Sequence, residues 1–77
     1  MEKDLVEYIA KFLVDDPSQV RVSVVEGEKS TILELRVSSE DIGKVIGKHG
    51  RIAKAIRTVL QAATVRSGKH TVLEILD

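Results

Sequence analysis

A chain of 77 residues, 43% hydrophobic and 31% charged, is one small folded module, too short for a two-domain enzyme and too apolar for a disordered tail. Without cysteine it has no disulfide framework, thiolate nucleophile or cysteine-ligated zinc, and with 3% aromatic residues its core must be aliphatic. Twelve basic and twelve acidic residues cancel, which taken alone argues against a polyanionic partner.

The start, Met1-Glu2-Lys3-Asp4, is acidic and no long apolar run follows, so neither a secretory signal nor a membrane span is expected and the cytoplasm is the expected compartment. Residues 2–14 place Leu5, Ile9, Phe12 and Leu13 at helical spacing, with Phe12 expected in the core. Pro17 in Asp15-Asp16-Pro17-Ser18 ends that helix. Val20, Val22 and Val24 alternate with polar residues as a half-buried strand does. Glu26-Gly27-Glu28-Lys29 then turns the chain into a second strand at 31–37, an antiparallel hairpin across which Glu34 can pair with Arg21. Ser38 and Ser39 before Glu40-Asp41 predict a capped helix start near residue 39, with Ile42, Val45 and Ile46 as its buried stripe.

Gly47-Lys48-His49-Gly50 interrupts that helix, and a second runs from Arg51 to about Val65 with Ile52, Ala55, Ile56, Val59, Leu60 and Ala63 at helical spacing and Lys54, Arg57 and Gln61 opposite. A polar linker, Arg66-Ser67-Gly68-Lys69, leads to a closing strand over Thr71–Leu76. The order α-β-β-α-α-β predicts an α+β sandwich of two layers, a three-stranded mixed sheet with three helices on one face. The last strand, reached through a helical crossover, is expected to lie parallel to that at 31–37.

Charge is unevenly placed. Residues 1–42 carry five basic and ten acidic groups, whereas residues 43–73 carry Lys44, Lys48, Arg51, Lys54, Arg57, Arg66 and Lys69 and no carboxylate. That segment draws a polyanion. Within it the Gly47–Gly50 turn feeds the N-terminus of the helix at 51, whose first amides lack intrahelical partners and whose dipole favours an anion. A phosphate is the natural occupant. The spacing fits neither a P-loop, which needs four residues between its glycines and then Lys-Ser/Thr, nor a dinucleotide fingerprint, which follows a strand.

The run Val45-Ile46-Gly47-Lys48-His49-Gly50-Arg51-Ile52-Ala53-Lys54-Ala55-Ile56 resembles the V-I-G-x-x-G-x-x-I-x-x-I core of a KH domain. Size and element order are similar to the prokaryotic type II form and to the stand-alone bacterial KH proteins of the KhpA-like group. The resemblance implies a groove for about four nucleotides of single-stranded RNA, clamped by the G-x-x-G turn. On this chain Gly47 and Gly50 would allow close approach, Lys48 and His49 would donate to phosphate, and Ile46 and Ile52 would form an apolar floor. Lys44, Arg51 and Lys54 would flank the turn. The opposite wall would come from Thr71–Leu73 and a variable loop from Arg66 through Lys69 to His70. By resemblance too come homodimers and a complex with a larger Jag-type KH protein, linked to cell-envelope growth and cell shape.

Tyr8 and Phe12 both fall in the first helix, so stacking platforms are not expected and base selectivity should be modest. Three neutralised phosphates would give a salt slope near −2, at roughly −0.7 per contact. His49 and His70 have no ligand partners at metal spacing and the cationic segment offers no carboxylate for acid–base chemistry, so no metal, cofactor, small-molecule substrate or catalysis is expected. Protonation of His49 should strengthen RNA binding. Two other readings compete. One is a protein-interaction module using the wide apolar arc of the helix at 51–65; the other, a DNA-binding helix-turn-helix, is disfavoured because Ile52, Ala53 and Ala55 follow Arg51 where base-reading side chains belong.

Overall fold

Alternating valines and leucines build the sheet. In the computed structural model, which describes residues 2–65 and 68–76, the elements are α1 (Glu2–Leu13), β1 (Arg21–Glu26), β2 (Ser30–Arg36), α2 (Ile42–Ile46), α3 (Arg51–Thr64) and β3 (His70–Leu76). Short 3-10 turns occupy Pro17–Gln19, Ser39–Asp41 and Lys48–Gly50. β1 and β2 form the expected antiparallel hairpin, Val22 opposite Leu35, closed where the Gly27 amide donates to the Ser30 carbonyl at 2.8 Å. β3 lies parallel to β2 with Leu33 opposite Leu73, so the strand order is β1-β2-β3. A parallel return needs a crossover, which α2 and α3 supply.

Side chains alternate across a strand, so Val22, Leu33, Leu35 and Leu73 share the face that the three helices cover. Val6 and Ala10 of α1, Val45 of α2, and Ile56 and Leu60 of α3 meet them. Each fully buried Leu or Val in this layer contributes about 1.5–3 kcal/mol relative to exposure. The fold is the α+β, type II KH arrangement that the element order predicts.

Four local expectations need correction. Of the stripe expected to be buried on α2, Val45 is fully buried but Ile46 is 36% exposed, at the last position before the glycine turn leads the chain away. Phe12 is not core: it is 81% exposed, and Tyr8 is 71% exposed. α1 rests on the sheet through Val6 and Ala10, and at about 100° per residue Phe12 stands some 120° round the helix from Val6. The small Ala10 side chain suits close approach of helix to sheet. The Arg21–Glu34 pair does not form, because the register sets Arg21 opposite Arg36 and Glu34 opposite Ser23. Arg21 Nη1 donates instead to the carbonyls of Ser18 (2.9 Å) and Val20 (2.8 Å). Finally, the hydroxyl cap expected at Ser38 and Ser39 is absent; the Asp41 amide donates to the Ser38 carbonyl at 2.8 Å.

Asp41 is the charged side chain inside this layer, 3% exposed. Its Oδ2 accepts the Asp16 amide at 3.1 Å and its Oδ1 accepts Lys44 Nζ at 3.1 Å, while Lys44 also reaches Asp15 at 3.1 Å. Burial pushes the Asp41 carboxyl up, but the Asp16 amide, the Lys44 ammonium and the Asp15 amide outweigh it and its pKa ends below the usual value. Hydrogen bonds to Asp15 and Asp41 raise the Lys44 pKa against the opposing effect of burial. This node ties the turn after α1 to the start of α2.

Candidate nucleic-acid interface

The corner between α2 and α3 is built by backbone that other residues resist. Gly47 has φ 78°, ψ 170°, a region almost confined to glycine, and a Cβ there would sit 2.6 Å from the Ile52 side chain. Gly50 has φ 72°, ψ 16°, left-handed, and a Cβ there would meet nothing within 4 Å. Gly47 is thus demanded by both conformation and packing, Gly50 by conformation alone, and the space over Gly50 is open. Between them His49 is also left-handed at φ 61°, ψ 22°, a strain of about 1–3 kcal/mol. Turns of this kind aim successive amides to one side and make anion-binding concavities.

α3 begins in that concavity without a side-chain cap, the Gly50 amide donating to the Gly47 carbonyl at 3.1 Å and the Arg51 amide to the Lys48 carbonyl. Its N-cap is Gly50, no side chain caps its amides, and no acid stands in its first turn. A helix start normally takes Ser, Thr, Asp or Asn there, and without one its partial positive charge faces outward. Lys48, His49, Arg51 and Lys54 are all exposed around it.

Farther along, α3 has two unlike flanks beside its buried line of Ala53, Ile56, Leu60 and Thr64. Lys54, Arg57 and Gln61, at spacings of three and four, face β3. There Arg57 donates from Nε (3.4 Å) and Nη2 (3.3 Å) to the Leu73 carbonyl. The seam continues as a groove of about 410 Å³ lined by Gln61, Thr64, Val65, Lys69, His70 and Thr71 among others. On the other flank Ile52, Ala55 and Val59 line an apolar cleft of about 330 Å³ against Ile9 and Leu13 of α1.

The structure therefore brings Gly47, Lys48, His49, Gly50, Arg51 and Lys54 together, with half-exposed Ile46 just before them and Lys69 farther along the α3–β3 seam. Lys44 stands apart, held between Asp15 and Asp41. Ile52 lies under Gly47 and opens toward α1, on the flank away from β3. Arg66 lies outside the described residues. Arg57, which the motif does not include, lies farther along this seam against Leu73; its spacing from Lys54 was the available signal. Among the described residues no three His, Cys, Asp or Glu side chains gather as metal ligands, and no helix is long and apolar enough to cross a membrane.

The family model described as "KhpA/KhpB, KH domain" matches residues 3–75. The Clostridium perfringens protein named "RNA-binding protein KhpA" is 64% identical over 74 residues, covering 96% of this chain and 99% of that one. The Borreliella burgdorferi protein of the same name is 57% identical over 76 residues, covering 99% and 93%. Among solved structures, Era in complex with MgGDPNP and nucleotides 1506–1542 of 16S ribosomal RNA superposes with a TM-score of 0.61 at 23% identity, covering 96% of this chain and 28% of that chain. That last likeness bears on the fold alone.

Proposed function

The chain belongs to the KhpA/KhpB family of KH domains, and from that premise we propose that it is a non-enzymatic RNA-binding protein that grips an unpaired strand by its backbone. The observation that carries this reading is the uncapped start of α3 beneath a left-handed glycine turn, inside a segment without carboxylates. Gly47 and Gly50 shape the concavity; Lys48, His49, Arg51 and Lys54 supply charge-assisted donors to phosphates. Ile46 offers apolar contact to a base and Lys69 extends the cationic track, whereas the charge of Lys44 is taken up by Asp15 and Asp41. A short groove without acid–base pairs suits a chaperone or adaptor that holds a few nucleotides open in the cytoplasm.

The test is Lys48→Asp combined with His49→Asp. The folded double variant, checked by circular dichroism, should bind a short unstructured RNA at least about tenfold more weakly, and the parent's salt slope should lie near −2. Undiminished binding by a folded double variant contradicts the reading.

A second role is favoured by the α1–α3 cleft, whose lining by Ile9, Leu13, Ile52, Ala55 and Val59 continues toward exposed Phe12. An apolar face of this breadth suits a protein partner, a second copy or a larger KH protein of the Jag type, and Arg51, which also lines the cleft, stands where it meets the turn.

A further inference from the structure

The α3–β3 seam carries hydrogen-bonding groups that the phosphate clamp does not use. β3 is an edge strand, paired to β2 on one side. In a parallel pair alternate residues turn both amide and carbonyl toward the neighbour, and the His70 amide donates to Lys29 on that side at 3.1 Å. By alternation Leu73 turns its amide and carbonyl to the free edge, where its carbonyl accepts from Arg57. Arg57 thus stands over the edge on which a base would lie if the strand's phosphates sat at Gly47–Arg51.

We propose that Arg57 is a specificity-determining residue that, with the Leu73 amide, selects a base presenting two adjacent hydrogen-bond acceptors. The inference rests on the RNA-binding reading above. A guanidinium has five N–H donors and no acceptor. Two of them go to the Leu73 carbonyl, which leaves three for the groove and removes the one acceptor that Leu73 could offer a base. The seam is therefore rich in donors. Cytosine, with O2 beside N3, and guanine, with O6 beside N7, satisfy it. Adenine sets its amino group next to each ring acceptor on the corresponding edge, and uracil separates its two oxygens by an N–H; both bring a donor against donors. The held geometry matters as much as the charge. The contact to Leu73 fixes the guanidinium plane relative to the strand edge, which a lysine ammonium cannot reproduce.

The experiment uses ten-nucleotide uridine strands whose four central positions are uridine, adenosine, cytidine or alternating guanosine and uridine, with affinities read by fluorescence anisotropy at fixed salt. The parent should bind the cytidine or guanosine strand about five- to tenfold tighter than the adenosine and uridine strands, and the separate strands show which of the two bases is taken. Arg57→Lys should bring all four within about twofold of one another. Lys48→Gln should weaken all four alike and keep their ratios. Equal affinities in the parent, or a preference that survives in Arg57→Lys, overturn the inference. The first of these needs no variant and does not depend on one folding. A parent that binds none of the strands contradicts the RNA-binding reading itself, which the other outcomes leave standing.

Discussion

Ile52 and Lys54 are two residues apart on α3, yet a rotation of about 200° sets them on opposite flanks of the helix. One flank runs Lys54, Arg57, Gln61 along the edge of β3; the other runs Ile52, Ala55, Val59 along α1. A single helix of 14 residues therefore serves a polar seam and an apolar cleft, divided by its buried line. The division gives a chain this small two chemically distinct exposed faces, each one that the core leaves over. It also shows that a change on one flank need not disturb the other.

The largest expected effect falls on the residue that both flanks depend upon. Gly47→Val drives a Cβ into Ile52 and forces an unsuited backbone, and should cost about 2–5 kcal/mol in urea unfolding. Gly50→Ala meets open space and should cost only about 1–2 kcal/mol, from its left-handed conformation. Equal losses at the two glycines would show that packing against Ile52 is not what distinguishes them.

Val59→Glu addresses the apolar flank alone. Val59 is 47% exposed in the α1–α3 cleft, so if a second copy docks there its replacement should abolish self-association in sedimentation experiments while RNA affinity per chain stays within about twofold. A parallel loss of RNA binding would mean that the flanks are coupled. Asp41→Asn probes the anchor of α2. The folded-state pKa of Asp41 is depressed, so its contribution to stability is present above the unfolded value near 3.9 and is lost as pH falls through the folded value. The variant should melt below the parent at pH 7, and the gap should close below about pH 4. Lys44, whose pKa is raised, contributes below about pH 10.4 and loses that contribution as pH rises through its folded value. The smallest effect belongs to His49. His49→Gln should weaken RNA binding by about twofold at fixed salt and pH, read by fluorescence anisotropy.

Much of this was legible in the sequence because the signals are local. The Val22–Val24 alternation, the Glu26–Lys29 turn and the Ile56–Leu60–Ala63 spacing each name an element, and the crossover rule alone sets β3 parallel to β2. The turn at 47–50 was legible because two glycines and a helix start leave few conformations. The rest depends on contacts between elements. Apolar residues surround so much of α1 that periodicity does not tell Val6 and Ala10 from Phe12, and the sheet chooses the smaller pair. Lys44 reads as one more cation of the basic segment until Asp15, 29 positions earlier, is found beside it. Arg57 shows its importance only against Leu73, 16 residues on.

The most direct test of the grip at the α2–α3 corner is a titration of the 15N-labelled protein with a short unpaired RNA, followed residue by residue in amide shifts. The account predicts the largest changes over Gly47–Ala53, with a second set at Thr71–Leu73, and little movement at Ile9, Leu13 and Val59. Changes concentrated on the α1 cleft, or none at the glycine turn while RNA is bound, would contradict it.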